Sequence, residues 1–158
     1  ISEWWDDEDA VNYDANSLLL LLVGMQIAAS AAIVLTSRFV DFTPVKAGTA
    51  AAGVGLWGWA ILKMKLSRVS IRPEVSVQAE LITTGPFRWV RHPMYSGLVL
   101  FLLPCVFSPF HMWRLLLWLG LLGVLVTKAS VEERLLAEQF PGYSDYRRRT
   151  KRFVPFLL

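Results

Sequence analysis

The sequence predicts an all-α, polytopic membrane helical bundle of about four transmembrane helices, with a helical hairpin and a cytoplasmic helix extension. Three observations carry this. Of 158 residues 54% are hydrophobic, and mean hydropathy is +0.44, too apolar for a soluble domain of this size. The apolar residues gather in long runs instead of spreading along the chain. The charges fall between and after those runs, with an acidic start and a basic end.

Six of the 13 acids, Glu3, Asp6, Asp7, Glu8, Asp9 and Asp14, precede residue 15, where no base occurs. The rest of the chain sets 16 bases against seven acids. A basic membrane protein of this kind meets the lipid bilayer and its anionic head groups, or an anionic cofactor group, and not nucleic acid. The single cysteine, Cys105, lies inside an apolar run, so no disulfide forms within the chain and a small core residue is expected there.

In chain order, residues 1–16 read as an acidic, aromatic surface tail, and 17–158 as one membrane domain with a cofactor-binding core at about 67–158. Ser17 to Ser37 is the first span, capped by Asn16 or Ser17 and uncharged until Arg38. Gly24, Ala28 and Ala32 recur every fourth residue and predict close helix packing. The second span covers about Val45 to Leu66, with Gly48, Ala52 and Gly55 on its first half and Lys63 and Lys65 at its far interface. Ser67 to His92 reads as a long irregular connection. Met94 to Phe110 is the third span, kinked by Pro104 and ended by Pro109. The fourth covers Met112 to about Thr127, and both are short enough to form a tight, tilted hairpin. Good helix formers continue to Phe140, so this helix is expected to leave the membrane before Pro141-Gly142. Four spans put both termini and the Ser67–His92 connection on one side. Most of the Lys and Arg fall there too, which makes it the cytoplasmic side or its organellar equivalent.

The stretch Gly85 to Gly97, G-P-F-R-W-V-R-H-P-M-Y-S-G, separates the two apolar halves. Gly85-Pro86 marks a turn, and Pro93 suits the first turn of a helix. His92 and Tyr95 then sit at the mouth of a membrane helix, whose unpaired N–H groups favour a carboxylate or phosphate. An interfacial anchor would use the same residue types. The topology, however, gathers this stretch and Lys128–Glu138 at one face. A pocket with Arg91, His92 and Tyr95 on one wall and Glu132 and Glu133 on another would hold a zwitterion: carboxylates for an ammonium or ribose hydroxyls, Arg and His for a carboxylate. Two distant histidines and one cysteine make no metal site. No nucleophilic triad and no glycine-rich phosphate loop is present; Gly53, Gly55 and Gly58 read as packing residues.

R-H-P-M-Y-S-G at Arg91–Gly97, followed by E-E-R-L-L-A-E-Q-F-P-G-Y-S-D-Y-R-R-R-T at Glu132–Thr150, resembles the isoprenylcysteine carboxyl methyltransferases and the related phospholipid methyltransferases. The resemblance extends upstream through A-E-L-I-T-T-G-P-F at Ala79–Phe87 and covers about the second half of the chain. It implies S-adenosyl-L-methionine as cofactor. By similarity, Ala79, Glu80, Leu81, Ile82 and Phe87 would line it. His92, Pro93, Met94 and Tyr95 would contact it, Glu132 would hold its polar groups, and Arg91 and Glu133 would support from behind. In the prenylcysteine enzymes an arginine four residues before the matching glutamate serves the substrate; here that place is Lys128. Lysine lacks the planar fork for a carboxylate. It either pairs with Glu132, one turn away, or meets an anionic group of the acceptor. The reading implied is an integral membrane S-adenosylmethionine-dependent methyltransferase with a lipophilic or small-molecule acceptor. The alternative is a non-catalytic methyltransferase-like subunit of a larger membrane assembly. A nicotinamide-dependent reductase comes third, for want of a dinucleotide fingerprint.

Overall fold

The computed structural model describes residues 3–68 and 81–153. Among these the chain is all-helical: α1 (Glu3–Thr36), α2 (Pro44–Arg68), α3 (Pro93–Val106), α4 (Met112–Gln139) and the short α5 (Tyr143–Arg149), with 3₁₀ turns at Phe39–Asp41 and Gly85–Arg88. The Ser17–Thr36 part of α1 and α4 are long and apolar enough to cross a membrane; α3 is apolar but shorter.

The second, third and fourth helices start at Pro44, Pro93 and Met112, within one residue of the expected Val45, Met94 and Met112. Two boundaries differ. Asn16 and Ser17 do not cap the first span, because α1 begins at Glu3 and places both in its interior. Extending a formed helix costs little per residue, no Gly or Pro interrupts the acidic segment, and its acids suit the positive end of the helix dipole. In α3, Pro104 lies inside the helix, which ends at Val106, before Pro109. Continuation of α4 to Gln139 agrees with the extension. Its charge-free stretch closes at Thr127, and Lys128 to Gln139 forms the polar part.

Helix α2 packs most closely on α3, and α1 on α4. At the first crossing, a Cβ on Gly53 would lie 2.5 Å from Phe101 N, and one on Gly97 would lie 2.7 Å from Gly53 O. Gly24 meets nothing, so the predicted Gly24–Ala28–Ala32 stripe is not a close contact face, and of Gly53, Gly55 and Gly58, read as packing residues, only Gly53 makes such a contact. Spacing alone does not orient a helix whose every face is apolar. Among the described residues, Leu22 and Ile33 are buried on α1, and Arg114, Leu121, Leu125, Ala129 and Glu133 on α4. The core joins Ile33 to Tyr95, Leu102, Cys105, Val106, Leu121, Leu125 and Ala129.

At the end away from the polar stretch, the turn after α3 ties the loops together. Lys46 Nζ donates to Phe107 O and Ser108 Oγ at 2.8 Å each, Arg38 N to Ser108 O at 2.7 Å, and buried Arg114 Nη1 to Pro109 O at 2.8 Å. At the other end, Gly85 adopts a positive φ of 65°, which glycine takes without strain. This seats the following turn against Lys63, and Trp89 meets Trp59 edge-on at 6.1 Å.

Candidate functional site

His92 caps α3 without a side-chain bond to the helix, and Pro93 takes the first helical position. The Tyr95 and Ser96 amides turn back onto His92 O at 3.0 and 3.1 Å, and proline has no amide to offer. The helix mouth therefore does not present the fan of free N–H groups expected from the sequence. The polar groups this corner presents are side chains instead. The strand-like segment after α5 fixes this corner: Arg91 N donates to Lys151 O at 2.8 Å, His92 N to Arg152 O at 3.1 Å, and Ser96 Oγ to Phe153 O at 2.6 Å.

Glu133 is the hub beneath the site, 3% exposed on the polar part of α4. Arg91 Nε reaches its Oε1 at 2.9 Å and Arg152 Nη2 its Oε2 at 2.9 Å. His92 Nε2 lies 3.2 Å from Oε1 and Arg147 Nε 3.9 Å from Oε2. Burial works against its charge. Hydrogen bonds from His92, Arg152 and Arg91 outweigh burial and hold the carboxyl well below the usual carboxylate range. Arg91 is further spent on Thr150 O at 2.5 Å and Arg147 O at 3.2 Å. Arg91 and Glu133 thus bind α3, α4 and the segment after α5 to one another.

Glu132, the next residue, faces the other way, into a cavity. Tyr95 OH donates to its Oε1 at 2.7 Å, and His92 Nδ1 lies 3.6 Å from its Oε2. An ionised Glu133 only accepts hydrogen bonds, so His92 Nε2 carries a proton and Nδ1 is the atom turned toward Glu132. The His92 and Tyr95 rings stack at 5.2 Å with 4° between planes. Behind them, burial pushes the Tyr143 and Tyr146 hydroxyls up to about 12, with the negative charge of Glu133 adding to the rise at Tyr143. Both stay protonated, and Tyr146 donates to Phe87 O at 2.7 Å.

The cavity measures about 1050 Å³ and lies between the α1–α4 and α2–α3 pairs. Phe87, Arg91, His92, Pro93, Met94, Tyr95, Lys128 and Glu132 line it, so the structure brings these sequence-predicted residues together. Leu81 and Ile82 are half-buried but do not line it; Ala79 and Glu80 lie outside the described residues. Lys128 Nζ stands 4.0 Å from Glu132 Oε1, and 5.0 Å from the Tyr95 ring centroid. Its hydrogen bond goes elsewhere, to Gln26 Oε1 at 3.2 Å. Sequence reasoning missed the α1 wall, including Gln26 and Ser30, and the apolar residues Trp57, Leu98, Phe101 and Leu136. Gln26 alone carried a signal, as the one amide within the first apolar run.

The family model described as phospholipid methyltransferase matches residues 47–142, from α2 to the end of α4 and the turn beyond it. The chain belongs to the phospholipid methyltransferase family. Two curated relatives each align over about half of the chain. An uncharacterized protein of Schizosaccharomyces pombe is 34% identical over an 80-residue alignment that covers 47% of this chain and 23% of that protein. The nickel-cobalt-cadmium resistance protein NccN of Alcaligenes xylosoxydans xylosoxydans is 35% identical over a 93-residue alignment that covers 49% of this chain and 37% of that one. The chain thus matches well under half the length of either relative.

Proposed function

We propose that this protein is an integral membrane S-adenosylmethionine-dependent methyltransferase acting on a lipid-like or small apolar acceptor. One observation carries the reading. A carboxylate, an imidazole and a phenol meet at the rim of a large, mostly apolar cavity, on the elements that the family match covers.

The residues fit the cofactor by their chemistry. Glu132 is about one-third exposed and keeps lone pairs that suit an ammonium or ribose hydroxyls. Phe87, Pro93 and Met94 offer an apolar shelf beside it. When bound, S-adenosylmethionine supplies a methyl group already activated for transfer, so the protein's part is alignment and exclusion of water. Tyr95 holds Glu132 in place, and Glu133 holds His92 from behind. The apolar walls from α1, α2 and α3 keep water out and admit an acceptor sideways from the bilayer.

Calorimetry in detergent with S-adenosylhomocysteine tests this. The wild-type protein is expected to bind. Glu132→Ala should weaken binding by about 1–3 kcal/mol, the range for unpairing buried polar groups. Absence of binding to intact protein would overturn the enzyme reading and favour a non-catalytic subunit of a membrane complex.

A further inference from the structure

Helix α1 lies outside the family match, yet it closes one side of the cavity. It contributes six residues there, and only Gln26 and Ser30 are polar. They stand one helical turn apart and therefore share a face.

Their hydrogen-bonding states are informative. Lys128 donates to the Gln26 side chain at 3.2 Å. An ammonium has no lone pair, so the atom it meets is the carbonyl oxygen, which leaves the Gln26 NH₂ with two donors for the cavity. Ser30 Oγ is buried and has no partner among the described residues. Lys128 has three N–H groups, and Glu132 Oε1 at 4.0 Å is beyond hydrogen-bond reach. The spot thus combines one positive charge with several unspent donors. Around it the cavity is lined by Ile27, Val34, Leu98, Phe101 and Leu102. A buried donor without an acceptor is costly, and a second cation there would face Lys128 directly.

We propose that Gln26 and Ser30, with Lys128, form a head-group subsite for the acceptor. The subsite selects a lipophilic molecule whose head offers oxygen lone pairs, such as a carboxylate, over one that carries an amine. This rests on reading the cavity as the acceptor site. It assigns acceptor choice to α1, the wall that the family match does not cover.

Native mass spectrometry of the intact protein in detergent tests it with two probes of matched chain, oleate and oleylamine. Oleate should bind about tenfold better, as expected when donors meet a charged acceptor in a desolvated site. Gln26→Glu, nearly isosteric, should neutralise Lys128 and abolish the preference. Ser30→Val should reduce oleate binding several-fold while keeping the helix. Equal binding of the two probes to wild type would overturn the inference, as would a preference retained in both variants. Wild-type binding of S-adenosylhomocysteine, measured in parallel, separates the two readings. S-adenosylhomocysteine bound without oleate preference defeats the subsite alone; oleate preference without S-adenosylhomocysteine binding defeats the methyltransferase alone.

Discussion

Glu132 and Glu133 are neighbours in sequence but meet opposite surroundings, because successive helical residues are turned about 100° apart. Glu133 is enclosed by Arg91, His92 and Arg152, whereas Glu132 keeps one side toward the cavity. Their substitutions should therefore separate. Glu133→Ala leaves three cationic or polar partners without their acceptor, and a loss of about 3–5 kcal/mol is expected, read as a fall in melting temperature. Glu132→Ala should melt close to wild type and lose affinity for S-adenosylhomocysteine instead. Acid should act through Glu133 as well. Its folded carboxyl is held low, so its stabilisation is complete above the ordinary carboxylate range and is lost as pH falls below about 4. Melting curves of Glu133→Gln should lack that acid-dependent component. The pairing of Lys128 follows the same lesson: helix spacing pointed to Glu132, while the nearer oxygen belongs to Gln26, 102 residues away.

Among the elements, the α2–α3 crossing is the tightest. Gly53→Val would drive its side chain against the backbone of Phe101 and Gly97 and cost about 1–3 kcal/mol or more, since helix backbones do not yield as side chains do. Gly24→Ala and Gly48→Ala point into open space and should leave the melting temperature of detergent-solubilised protein unchanged or slightly raised. The start of α3 was legible because Pro93 acts locally through its ring and missing amide. The contacting glycines were not, because small residues occur on several faces of each span and only the neighbouring helix chooses among them.

At the scale of the molecule, four crossings are proposed. They would put Val40 and Arg88, both exposed, on opposite sides of the bilayer. Single Val40→Cys and Arg88→Cys proteins in sealed vesicles should react with an impermeant maleimide from opposite sides, and Arg88→Cys from the cytoplasmic side, since Lys and Arg bias sets orientation. Native Cys105 is fully buried and should stay unlabelled. Labelling of both positions from one side would break the four-span arrangement.

The sequence by itself determined the helical class, the starts of α2, α3 and α4, and the meeting of the Arg91–Tyr95 stretch with the Glu132 region. These depend on hydropathy, proline stereochemistry and short motifs, which are properties of neighbouring residues. Only the tertiary structure decided that Gly53 meets Gly97 and that α1 brings Gln26 to Lys128. Each of these is a contact between distant segments, set by which apolar face of one helix finds the matching face of another. When every face is apolar, composition leaves that choice open and packing makes it.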